Sequence, residues 1–197
     1  EHIFRDQSSP FYKQAAIIYF EHIEQDVFFE FVAKRFQRKK IMLEKKVYEY
    51  LYQMCHGITG DIQRFCRVAF DTLEERTPLN FEAFFTVLET INKNEKKYFE
   101  ASLEGKSLTK VQRSLMIHLA STENQDNAKI FGKELQRAIG VKSPGAMNNA
   151  LSALMKKEYI YKSDDHYYFA NPYFKEWILD YKLMIHATAG ALTTGQT

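Results

Sequence analysis

A single β-hairpin signature, late in a chain otherwise patterned for helices, constrains this fold more than any other feature. Tyr159-Ile160-Tyr161 and Tyr167-Tyr168-Phe169 are short aromatic and β-branched runs, separated by the polar turn Ser163-Asp164-Asp165. An isolated two-stranded hairpin is marginal in water, so these strands must pack on helices. Three helices are predicted just upstream. The first is Leu108 to Leu119, with Val111, Leu115, Ile117 and Leu119 inward, and the second is Ala128 to Ile139, stopped by Gly140. The third opens on Ser143-Pro144, a capping serine followed by proline at the first helical position, and carries Met147, Leu151, Leu154 and Met155 on one face. A last helix runs from Pro172 through Leu183. Helix, helix, helix, hairpin is the order of a winged helix-turn-helix.

The first half has no strand signal. Pro10 to Phe36 is predicted helical, with Ile17, Phe20, Ile23, Val27, Phe28, Phe31 and Val32 at helical spacing and Gln25-Asp26 marking a break between two helices. The basic run Lys34 to Lys40 forms a turn region, and its ordinary role is a solvated surface, with nucleic-acid or partner contact as the alternative. Glu44 to Met54 is the next helix. His56-Gly57-Ile58-Thr59-Gly60 then breaks the pattern, and Thr59 is placed to cap a helix reaching about Leu73, with Asp61 in its first turn. Asn80 caps a helix from Phe81 to Asn92, and a further helical stretch follows from Glu95 to Ser102. The expected fold is mainly α: a helical bundle over 1–103, a winged helix over 104–186 with its small hairpin, and a flexible tail over 187–197.

Charge narrows the function classes. Residues 1–105 hold 15 Lys/Arg against 17 Asp/Glu, so the whole excess of +2 comes from the second half. That excess permits phosphate contact there without demanding it. Two cysteines, Cys55 and Cys66, make no disulfide framework, and Cys55-His56 lacks the paired spacing of a zinc site. Catalysis by a Cys–His pair is disfavoured because cysteines buried in helices are inert. No apolar run is long enough to span a bilayer and no signal peptide opens the chain, so a reducing cytoplasm is the expected location. The abrupt opening, Glu1-His2-Ile3-Phe4, suggests a piece of something longer.

Several motifs, in order, resemble a known family. Pro10-Phe11-Tyr12, Phe31-Val32-Ala33 before the basic turn, and Gly57-Ile58-Thr59-Gly60-Asp61-Ile62-Gln63 resemble the helical lid of prokaryotic AAA+/STAND-type, archaeal-ATPase-like P-loop ATPases, with Thr59 where that family usually has proline. Leu108-Thr109-Lys110-Val111-Gln112, the stretch from Gly140 through Leu154, Glu158-Tyr159-Ile160-Tyr161 and Asn171-Pro172-Tyr173-Phe174-Lys175-Glu176-Trp177-Ile178 resemble the winged helix that ends those ATPases. The resemblance implies an ATP-driven switch in which lid and winged helix report the state of a nucleotide held by an N-terminal P-loop domain. The resemblance covers only the lid and winged helix, so that domain is expected outside this chain. ATP and magnesium are therefore expected only with it, the ATPase core is an expected partner, and this chain alone is not expected to be an enzyme.

The resemblance also implies a nucleotide sensor at the start of the lid helix, where related proteins place an arginine after Gly-Asp. Here Gln63 stands in that position and Arg64 follows it, about 100° further round the helix, with Asp61 before them. A guanidinium suits phosphate contact because it is permanently charged and forks onto two oxygens. The competing reading is a helix start with solvated Arg64. Gly105-Lys106-Ser107 echoes the end of a phosphate-binding loop, but Glu100 occupies the place of its first glycine and no apolar strand precedes it, so it reads as a linker. On the third helix of the winged domain Asn148, Asn149 and Ser152 form a polar face flanked by Lys142 and Lys156, with Lys162 on the hairpin. Asparagine can read adenine edges and lysine can hold phosphates, yet the acidic tip Asp164-Asp165 repels a phosphate backbone. Three readings stand open: the regulatory part of an ATPase, a free-standing winged-helix transcription regulator, and a protein-interaction adaptor that grips a partner or itself.

Overall fold

The computed structural model describes residues 23–121 and 130–181, together with Pro10. The expected helix before Gln25, the Pro10-Phe11-Tyr12 motif beyond Pro10 and the C-terminal tail lie outside the described residues. The first helix, α1, spans Gln25–Gln37. It is followed by α2 (Lys45–Met54), α3 (Thr59–Thr72) and α4 (Phe81–Glu104). The winged helix is built from α5 (Lys110–Ser121), α6 (Lys133–Ala138), α7 (Pro144–Lys156), β1 (Ile160–Ser163) and β2 (His166–Phe169). A helix α8 over 172–181 completes the described chain.

In the first unit, α1 buries Phe28, Val32 and Phe36, whereas Val27 and Phe31, expected on the same apolar stripe, are exposed, as is Ile23 just before the helix. Phe65 of α3 stacks on Phe84 of α4 with ring centroids 4.6 Å apart, and Tyr50 of α2 meets the same ring edge-on. Leu79 N–H donates to the Met42 carbonyl at 2.8 Å, tying the segments before α2 and α4 together in a parallel bridge. The Lys39 ammonium donates to the Phe70 carbonyl at 2.7 Å, so one lysine of the basic turn is a staple rather than a surface charge.

Helix ends follow the sequence closely in three places. Asn80 Oδ1 accepts from Ala83 N–H at 3.0 Å and Ser143 Oγ accepts from Ala146 N–H at 3.2 Å. Gly140, at φ +75°, ends α6 with Val141 N–H bonded to the Gln136 carbonyl. Three expectations are corrected. Thr59 does not cap α3: it is already helical, and extended Ile58 holds the cap position without a side-chain bond. The helices expected over Phe81–Asn92 and Glu95–Ser102 are one, because Asn92-Lys93-Asn94 contains no breaker strong enough to interrupt a helix packed along its length. The helix expected from Ala128 to Ile139 is interrupted: Ile130 is helical, Phe131 and Gly132 leave the helical path, and α6 begins at Lys133 with Gly132 as its cap, while residues 128–129 lie outside the described residues.

The hairpin pairs Ile160 with Phe169 and Ser163 with His166. Asp164 and Asp165 both adopt positive φ, the geometry of the tight turns whose twist matches paired strands. The 24-residue α4 is the structural spine. Its first half lies in the helical unit through Phe84, Val87 and Ile91, while Phe99 in its second half packs on Phe174 and Trp177 of α8. Arg113 of α5 donates to the Leu103 and Glu104 carbonyls, satisfying the open end of α4.

Candidate functional site

The turn after α2 is where the two units meet. Gly57 N–H bonds to the Tyr52 carbonyl and His56 N–H to the Gln53 carbonyl, a Schellman ending in which His56 takes the left-handed position usually given to glycine. Gly57 follows at φ +70°, a backbone conformation that favours glycine, and a Cβ there would push on the Tyr52 hydroxyl at 2.9 Å. The turn delivers His56 to the winged helix: its ring sits edge-on to Tyr168 of β2, centroids 4.6 Å apart. Burial, and then the nearby Lys175 ammonium, lower the His56 pKa from its ordinary value and favour the neutral ring.

Beyond the turn, α3 presents its first residues to α8. The Tyr173 hydroxyl donates to the Asp61 carbonyl at 2.6 Å. Arg64 forms an ion pair with Glu95 of α4, and its guanidinium lies 4.9 Å from the Tyr173 ring centroid. Burial raises the Asp61 pKa while Arg64 pulls it back. Cys55 is fully buried beneath this knot, its thiol pushed up to about 12 chiefly by desolvation. A cleft of about 690 Å³ opens beside it, lined by Tyr52, Gln53, His56, Tyr168, Lys175 and Glu176 among others.

The three sensor candidates are therefore not presented together. Asp61 and Arg64 face the winged helix, whereas exposed Gln63 lines a different groove, between α1 and α3. Arg64 is only about one-third exposed and packed, not a solvated charge. Gly105-Lys106-Ser107 joins α4 to α5, and the Ser107 carbonyl accepts from the Lys157 ammonium, so this segment is a linker. Among the described residues no group of three or more His, Cys, Asp or Glu is placed to hold a metal ion, and no helix is long and apolar enough to cross a membrane.

On the winged helix, Asn148, Asn149, Ser152 and Lys156 share the exposed face of α7, and Lys142 is exposed just before it. Lys162 is held by Asp165 at 2.7 Å and stands apart from that face, on the hairpin. The residues missed by sequence reasoning are Tyr173 and Glu95. Asn171-Pro172 marks the start of α8, and Asn171 Oδ1 accepts from Tyr173 N–H at 3.0 Å. Nothing local in the sequence, however, points the Tyr173 hydroxyl at Asp61.

A family model described as a probable winged helix domain matches residues 86–180. The match begins inside α4, in keeping with the contribution of that helix to both units. No curated protein matches the chain. Among solved structures, a Walker-type ATPase of Pyrococcus abyssi resembles it at a TM-score of 0.58 with 16% identity, over 89% of this chain and 47% of that one. At that identity the likeness is one of fold. The chain spans about half the length of the ATPase it matches.

Proposed function

We propose that this chain is the non-catalytic lid and winged-helix portion of a P-loop ATPase, coupling nucleotide state to an effector face on the winged helix. The observation that carries the reading is the knot at Tyr173, where one side chain of α8 binds the first turn of α3 and stacks under Arg64. A displacement of the His56–Arg64 turn cannot stay local, because α3, α4 and α8 are fastened at that point. The fold likeness to part of a Walker-type ATPase supports a nucleotide-binding portion elsewhere, with ATP and magnesium bound there.

The effector face is the exposed side of α7: Asn148, Asn149 and Ser152, with Lys142 and Lys156 at its ends. Its chemistry favours a protein partner over DNA. Lys157 is bound to the Ser107 carbonyl and Gln112, Lys162 is paired, and the wing tip is acidic. On this face of α7 the cations left to release counterions from a duplex are Lys142 and Lys156. DNA binding is the second reading, favoured by the winged-helix fold alone.

The reading is tested in the ATPase that contains the chain. Asn148→Ala with Lys156→Glu should abolish partner capture and leave basal ATP turnover unchanged. The isolated chain, titrated with ATP and magnesium, should show no low-micromolar site. Turnover by the isolated chain that Lys106→Ala removes would overturn the non-catalytic assignment. Steeply salt-dependent binding to duplex DNA, weakened by Lys142→Ala and Lys156→Ala, would move the effector from protein to DNA.

A further inference from the structure

The hairpin of the winged helix has a free edge. Its sheet holds two strands, with Ile160 opposite Phe169 and Ser163 opposite His166. Ala170 N–H bonds to the Tyr159 carbonyl at 3.0 Å, which fixes the phase of the ladder. Bonded and non-bonded residues alternate along an antiparallel pair, so His166, Tyr168 and Ala170 direct their backbone groups at β1. The N–H and C=O groups of Tyr167 and Phe169 point the other way. Among the described residues no backbone group pairs with them.

That edge opens into the junction cleft of about 690 Å³, which every residue of β2 lines and no residue of β1 does. The two faces of the strand meet different surroundings. His56 packs edge-on against Tyr168 on one face. Phe169, on the other, is buried and meets Phe174 of α8 edge-on at 6.4 Å, and Leu119 and Leu179 add apolar lining from α5 and α8. Lysine and carboxylate occur once each in the lining, on adjacent Lys175 and Glu176, so the cleft selects no net charge. Free sheet edges are ordinarily blunted by lysine, proline or a bulge. The run His166-Tyr167-Tyr168-Phe169 has none of these. A row of outward donors and acceptors is matched by an extended polypeptide backbone. The edge lies in a recess beside the His56 turn and α8, which suits one extended segment better than the hairpin of a second copy.

We propose that the β2 edge captures an uncharged, extended segment of a partner polypeptide as a third strand, bonded to the backbone of Tyr167 and Phe169. Its apolar side chains lie on the Phe169 face, and its polar ones on the Tyr168 face, where His56 and Gln53 line the cleft. A third strand gives the hairpin the width that a stable sheet needs. Only two residues of β2 offer outward backbone groups, so the affinity is modest. The site is separate from the exposed face of α7 and does not rest on the ATPase assignment.

Amide NMR of the whole chain tests this with a pool of end-blocked peptides about six residues long, in which valine, leucine or phenylalanine alternates with serine, threonine or asparagine. With the pool added to about 1 mM, the Tyr167 and Phe169 amide protons should shift downfield and exchange about tenfold more slowly. The amides of His166 and Tyr168, already bonded to β1, should change little. The same pool N-methylated throughout should produce neither effect, because it cannot donate to the edge. Tyr167→Pro deletes one outward donor and leaves the β1 ladder its bonds, so binding should fall about tenfold or more. Tyr167→Ala loses the same side chain and keeps the donor, and should bind within about threefold of the parent. Slow exchange at Ala170 reports that the hairpin stays formed, and if Tyr167→Pro unfolds it the N-methylated pool decides. No response at Tyr167 and Phe169, an equal response to N-methylated peptides, or a folded Tyr167→Pro that binds like Tyr167→Ala would each overturn the proposal.

Discussion

The Tyr173 hydroxyl donates to the backbone carbonyl of Asp61 at 2.6 Å across 112 residues of sequence. Tyr173 is fully buried. Tyr173→Phe removes this bond and keeps the ring. Urea unfolding should show a loss of about 1–2 kcal/mol, since the Asp61 carbonyl keeps its place in the helix and only one partner is withdrawn. A stability equal to the parent's would mean that the hydroxyl does not fasten the junction.

Arg64 and Gln63 should separate in their effects. Arg64→Ala breaks the Glu95 pair and uncovers the Tyr173 ring, at a cost of about 1 kcal/mol after discounting for its partial exposure. Gln63→Ala, on an exposed position, should stay within about 0.5 kcal/mol. Equal effects in thermal unfolding would place both residues in the same surroundings, contrary to the structure.

The legibility of the sequence divides along a physical line. Helix punctuation at Asn80, Gly140 and Ser143-Pro144 is local chemistry, and each residue does what its type predicts. The hairpin was equally plain, since a short aromatic run either side of Asp164-Asp165 has few other folds. Thr59 misleads because a threonine near a helix start is a capping signal only if its own backbone is non-helical, and Ile58 takes that position instead. The continuity of α4 was hidden because Asn92 and Asn94 weaken a helix only when nothing packs on it, and Asn92 is buried and bonded to Asp180. At the junction, the polar and charged residue types drew notice, but their partners did not. Arg64 acquires Glu95 and Tyr173 only when the chain folds back on itself.

His56 gives the fold a definite response to mild acid. Its folded pKa lies below the ordinary 6.5, so the unfolded state binds the proton first and the stability from the neutral ring is lost as pH falls from that value toward the folded one. Asp61, Glu176 and Asp180 act in the opposite sense nearer the carboxylate range. Burial raises all three, so their protonation there favours the folded state. His56→Gln should flatten the stability profile just below pH 6.5 in chemical denaturation. A variant with the parent's slope there would assign the effect to another group.

Both thiols should be inert in the native protein. Burial pushes Cys55 and Cys66 up to about 12, leaving about one thiolate in ten thousand at pH 8. Alkylation by iodoacetamide should be slow until denaturant is added and then complete at both positions. Rapid native labelling of Cys55 would show that the core under the Tyr173 knot opens readily.

The central claim is that the turn at His56–Arg64 and the wing move as one. It is tested most directly by hydrogen exchange over residues 160–169 in the proposed parent ATPase, compared between its ATP- and ADP-bound states. The account predicts protection that differs between the two states in the parent and no longer differs in Tyr173→Phe, with nucleotide affinity retained. Identical protection in both states of the parent, or a difference that survives Tyr173→Phe unchanged, would contradict it.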